Sequence, residues 1–218
     1  LPAGTIEEED IIMEALIIVD VQNDFCPGGA LPVKNGDEII PLINELQKHY
    51  DLVVVSQDWH PKDHGSFAST HHKKLYSTIM LDGLSQVLWP DHCVQHTPGA
   101  ELRADLDKTR IQHIVQKGTE PNIDSYSAFF DNGWKKATGL HYYLKEKHVT
   151  DVHIVGLATD YCVKYTALDS TRLGYNTSVI LEACRGIGLH EDDIDKAVEE
   201  MMNSGVNIIS EPSTIGIS

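Results

Sequence analysis

Polar side chains fall where short apolar runs end. Asp20 follows "ALIIV" (15–19), Asp58 and His60 follow "LVVVSQ" (52–57), Lys117 follows "IQHIVQ" (111–116), and Cys162 lies just beyond "VHIVG" (152–156), in "GLATDYCV". A carboxylate, an ammonium and a thiol delivered to one edge could run acyl transfer. The thiol would attack, the ammonium would depress its pKa, and the carboxylate would carry protons between the thiol and a leaving amine. Singly, each has an ordinary reading: Asp20 caps a turn, Lys117 is solvated, and Cys162 packs in the core, where free cysteine is common. Their joint arrival at successive strand ends favours the chemical reading.

"SQDWH" supplies a second chemistry. Asp58 and His60 stand at i and i+2, on the same side of an extended chain, with Trp59 pointing away. That pair suits a mononuclear metal, and His64, His71, His72, His92 and His96 offer a third ligand, most of these being expected at the surface. In "ATDYCV", a cap from Thr159 or Asp160 would place Cys162 in the first turn of a helix. There the dipole and free amides lower a thiol pKa and can hold an oxyanion. Cys26, Cys93 and Cys184 lack these neighbours and are expected in packing or in pocket walls.

The elements that must position these residues alternate. Besides the four runs above, "TSVIL" (177–181) and "VNIIS" (206–210) read as strands, and helices are expected near 37–50, 134–148, 161–173 and 190–203. Fully apolar strands between helices predict an α/β fold, with a parallel sheet covered on both faces. In such sheets ligands bind beyond the carboxyl ends of the strands, near the switch in strand order. The segment 60–110, rich in His, Gly and Pro, lacks periodicity and is expected to be functional or disordered. The opening "LPAGTIEEEDII", with Met13 after it, reads as a tag remnant or disordered extension over 1–13, leaving one domain over 14–218.

Composition narrows the function classes. The 218 residues carry 17 Lys and Arg against 33 Asp and Glu, a net charge of -16 that repels phosphate backbones and anionic membrane surfaces. Apolar runs fall well short of the roughly 20 residues a bilayer demands. No signal segment opens the chain, and the four widely spaced cysteines form no CxxC pair. The expectation is a soluble, cytoplasmic protein with free thiols, without nucleic acid or membrane; a homo-oligomer is compatible with this.

With these residues assembled, the chain resembles the nicotinamidases (pyrazinamidases) of the isochorismatase-like cysteine hydrolases. "LIIVDVQNDFCPGGAL", "SQDWHP", "LWPDHCV", "QKG" and "GLATDYCV" occur in family order, and the likeness runs from about Ala15 to Ile209. It implies a three-layer α/β/α sandwich around a six-stranded parallel sheet ordered 3-2-1-4-5-6, with Asp20, Lys117 and Cys162 as catalytic triad. It implies one divalent metal ion on Asp58, His60 and His92, the last preferred over His64 or His71, with zinc expected first and iron or manganese also suited. Phe25, Leu31, Trp89, Tyr126 and Tyr161 would wall an aromatic substrate. A cis peptide between Leu157 and Ala158 would turn the Ala158 and Cys162 amides towards an oxyanion. His96 stands where relatives commonly carry glycine, so the loop there is expected to differ. The implied activity is hydrolysis of nicotinamide to nicotinic acid and ammonia through a cysteine thioester, feeding NAD salvage, with pyrazinamide as a further substrate. The alternatives are another amidohydrolase of the superfamily, or a non-catalytic metal-binding or interaction protein on the same fold.

Overall fold

The computed structural model describes residues 13–210. The expected extension therefore lies outside the described residues apart from Met13. Six strands form one parallel sheet: β1 (Glu14–Val19), β2 (Leu52–Asp58), β5 (His113–Lys117), β6 (Asp151–Leu157), β7 (Asn176–Arg185) and β8 (Asn207–Ile209). Their order is β5-β2-β1-β6-β7-β8, which is 3-2-1-4-5-6 when only these strands are counted. β1 shows why the sheet needs cover on both faces. Leu16 and Ile18 pack into one apolar cluster with Ile40, Ile43 and Leu46 of helix α1 (Ile40–Leu46). Ala15, Ile17 and Val19 pack into the other, with residues of α2 (Leu140–Glu146), α3 (Lys164–Arg172) and α4 (Asp193–Asn203). Successive side chains on a strand point to opposite faces, so a run without polar residues has two faces to bury, each large side chain contributing about 1.5–3 kcal/mol.

Several elements depart from the sequence reading. α1 begins only at Ile40, with Pro41 in its first turn, where a missing N–H costs nothing, and its end tightens into a 3-10 turn over Gln47–His49. The helix expected from 134 begins at Leu140, because the Asp131 carboxylate accepts from the N–H groups of Gly133, Lys135 and Lys136 and holds that segment in turns. The 60–110 segment is ordered rather than irregular throughout: β3 (Thr78–Leu81) and β4 (Leu84–Val87) form an antiparallel hairpin. Among the described residues, no helix is long and apolar enough to cross a membrane.

Candidate active site

The chain reverses its direction of travel across the sheet between β1 and β6, and the polar strand ends converge there. Register does much of the positioning. Asp58 and Lys117 are direct partners in the β2/β5 pairing, so the ammonium lies beside the carboxylate before any side chain chooses a rotamer. Lys117 is 1 % exposed and stands on every side against an acceptor. Its Nζ donates to Asp58 Oδ1 at 2.5 Å, the Ser125 carbonyl at 2.9 Å and Cys162 Sγ at 3.4 Å, and lies 2.8 Å from Asp20 Oδ2. Asp20, in the left-handed region at φ 50°, takes a further hydrogen bond from Ser56 Oγ at 2.7 Å. The structure thus brings Asp20, Lys117 and Cys162 together.

These groups are not electrostatically equivalent. Burial works against the Lys117 ammonium, but Asp20 and Asp58 together outweigh it and hold its pKa well above the ordinary value. Burial raises Asp20, and Lys117 recovers only part of the shift. Asp58 is equally buried, yet Lys117 and His60 outweigh that burial and keep its carboxyl well below the usual range. Cys162 corrects an expectation: its thiol is pushed well above the ordinary cysteine value, because burial exceeds the help from Lys117 and Asp20 opposes it. Burial thus favours the protonated Cys162 thiol, and it lies beside a carboxylate whose pKa is raised as well.

The turn that carries Cys162 also differs from expectation. β6 ends in a cis peptide between Leu157 and Ala158, and a π-type turn over Thr159–Val163 precedes α3. No side chain caps it. Asp160 reaches away instead, accepting from the N–H groups of Ile187 and Gly188 at 2.9 Å each.

Beside Asp20, Lys117 and Cys162, the residues Asp58, His60 and His92 each offer a ligand atom within 4.8 Å of the others, all three being buried. His60 and His92 meet because the His60 N–H donates to the Cys93 carbonyl and the Gln95 N–H to the His60 carbonyl. Each imidazole is held by Nδ1 against a backbone carbonyl, Gly118 at 2.9 Å for His60 and Pro90 at 2.7 Å for His92. An Nδ1–H donated to a carbonyl leaves Nε2 as the lone-pair nitrogen, the tautomer a metal needs. His60 Nε2 is buried without a hydrogen-bond partner. A carboxylate and two such imidazoles therefore fit a divalent cation. His64 forms a second group with His60 and Asp124, but its Nδ1 lies 2.7 Å from Ser66 Oγ and its Nε2 3.2 Å from the Ile123 carbonyl. Burial lowers its pKa to about 4. His71 bonds the Gly65 carbonyl, and His96 is exposed with its ring edge-on to Trp59. His96 does adopt glycine-like backbone, at φ 63°.

A cleft of about 320 Å³, its open mouth included, reaches this assembly. Phe25, Leu31, Trp89, Tyr126 and Tyr161 line it, with Ala158, Cys162, Asp58 and His92. Tyr126 is held by Gln86 Nε2 and Trp89 Nε1, which both donate to its hydroxyl. Asp124 and Ile187 also line the cleft and escaped the sequence reading. Both come from segments without periodicity, although "RGIGL", an apolar residue between two glycines after a strand, was a usable signal for the second.

The model of the isochorismatase domain matches residues 14–213. The chain belongs to the isochorismatase family. Within that family it is 50% identical to the nicotinamidase of Acinetobacter baylyi, over 90% of this chain and 92% of that protein. Among solved structures, the nicotinamidase and pyrazinamidase of Acinetobacter baumanii superposes with a TM-score of 0.88 at 48% identity, covering 90% of this chain and 95% of that one. The pyrazinamidase of Pyrococcus horikoshii, solved in complex with zinc, gives a TM-score of 0.73 at 39% identity, with 91% and 99% covered.

Proposed function

We propose that this family member is a nicotinamidase, hydrolysing nicotinamide to nicotinic acid and ammonia and deamidating pyrazinamide as well. The observation that carries the reading is the contact of Lys117 with both Cys162 Sγ and the Asp20 carboxylate at the base of an aromatic cleft. The identity to nicotinamidases over nine-tenths of the chain supports the substrate.

Because the thiol is protonated at rest, its proton leaves as the sulfur attacks the carboxamide carbon, and Asp20 receives it. Lys117 keeps its charge and stabilises the sulfur as it becomes anionic. The backbone amides of Ala158 and Cys162 hold the tetrahedral oxyanion. Asp20 passes the proton to the departing ammonia, leaving a thioester on Cys162. It then takes a proton from water, whose oxygen attacks the thioester; nicotinate leaves and the thiol is restored. Phe25, Leu31, Trp89, Tyr126 and Tyr161 confine the ring. Asp58, His60 and His92 would hold one divalent ion, zinc first, which when bound supplies a point of attachment for the ring nitrogen and so orients the substrate.

An ammonia-release assay on nicotinamide and pyrazinamide, with wild type and Cys162→Ala beside a metal analysis, tests this. The expected outcome is turnover of both amides by wild type and its loss in Cys162→Ala at unchanged metal content. No ammonia from either amide, with hydrolysis of an enol ether instead, would assign the chain to a different reaction of the superfamily.

A further inference from the structure

Ile187 enters the cleft from a segment that the chemistry above does not use. It sits in the segment 186–188, just after β7, and lines the cleft together with Cys162 and Ala158. Its backbone is fixed from two sides. The buried Asp160, two residues before the nucleophile, accepts the Ile187 N–H on Oδ1 and the Gly188 N–H on Oδ2, each at 2.9 Å. On the other side α4 closes in: a Cβ on Gly186 would lie 2.6 Å from Ile194 Cγ1 and 3.0 Å from Asp160 Oδ1, so only glycine admits that approach. Two successive amides on one carboxylate leave the segment little freedom to move relative to Cys162. Asp160 is free for this because it does not cap its own turn.

We propose that Ile187 is a specificity-determining residue of this cleft, bounding the ring of the bound carboxamide, and that Asp160 is the positioning residue that holds it at a fixed distance from the nucleophile. The inference rests on the amidase reading and deepens it. A branched aliphatic side chain against a flat ring leaves no room for a substituent on that edge, whereas the ring itself tolerates many walls. Trp89 and Tyr126 are tied to each other by a hydrogen bond, whereas Ile187 is held by its backbone on Asp160 and packs its side chain, partly buried, against the cluster that contains Phe25 and Trp89. Shortening it should therefore alter which rings fit while the Trp89–Tyr126 hydrogen bond stays in place.

The test measures kcat and KM separately for nicotinamide and for ring-methylated nicotinamides, on wild type, Ile187→Ala, Ile187→Val and Asp160→Asn, with the melting temperature of each. One methylene in an apolar pocket discriminates by about 10–200-fold. Ile187→Ala should raise kcat/KM for at least one methylated amide, relative to nicotinamide, by about 10-fold or more. Ile187→Val, which deletes a single methyl and keeps the fold, should move the same ratio in the same direction by less. Asp160→Asn retains one acceptor oxygen but loses the paired acceptance, and should shift the ratio through KM. A purely structural Asp160 would lower the melting temperature and leave the ratio where it was, which overturns the positioning role. Unchanged ratios in both Ile187 variants overturn the specificity role. If wild type releases no ammonia from nicotinamide, the functional reading fails first, an outcome distinct from either.

Discussion

Asp20 and Asp58 share the Lys117 ammonium, one at 2.8 Å and the other at 2.5 Å, both buried, yet they are pushed in opposite directions. The difference lies in what else each meets. Asp58 has the His60 and His92 rings within 3.6 Å, whereas Asp20 has a serine hydroxyl and the Cys162 thiol as neighbours. Two carboxylates whose environments separate their pKa values divide the labour between them: the more basic one moves protons and the more acidic one stays charged. Asp20→Asn should therefore lower kcat by about 10²–10⁴-fold while the protein binds metal as wild type does. Asp58→Asn should instead lose metal. Steady-state kinetics beside metal titration of the purified variants decides this, and an Asp20→Asn enzyme of near-normal kcat would remove Asp20 from the proton path.

At the scale of elements, the positions of Asp20, Asp58, Lys117 and Cys162 were legible because each closes or follows an apolar strand, and strand ends in a parallel sheet share one edge. The sheet order rested on family likeness, since periodicity finds strands but not their neighbours. The β3–β4 hairpin was hidden because its strands are four residues each, exposed or half-buried at seven of eight positions, and offer only the short apolar run 79–81. The thiol pKa was misjudged for a related reason: dipole and charge can be placed from spacing, but the extent of burial cannot. Gly118 shows how an element end serves the site. It follows β5 at φ +65°, its carbonyl receives His60 Nδ1, and a Cβ there would lie 2.4 Å from His60 Cε1. Gly118→Ala should strain the turn and push the imidazole aside, costing about 1–2 kcal/mol of stability. Metal affinity should fall about 10–100-fold, as it does when a ligand loses its outer support. Competition against a chelator measures the second effect, and affinity equal to wild type would show that the ring tolerates the displacement.

For the molecule as a whole, a sheet covered on both faces encloses ionisable groups far from the cleft as well. His153 on β6 pairs through Nδ1 with the Tyr50 hydroxyl at 2.6 Å, and burial holds its pKa below the ordinary histidine value, with Glu14 and Asp151 opposing weakly. His113 and His141 are shifted the same way by burial. The folded state thus prefers the neutral ring, while the unfolded chain binds a proton at its ordinary pKa near 6.5. Stability from this source is complete above that value and is lost as pH falls through it towards the lower folded pKa. His153→Gln cannot take up the proton and can still bond the Tyr50 hydroxyl, so its stability should decline less steeply on acidification. Urea unfolding of both proteins between about pH 7 and pH 5 reads the difference directly, as a narrowing of the wild-type advantage. Since the two proteins share every other titrating group, parallel curves across that window would place the linked protons at the remaining histidines and clear His153.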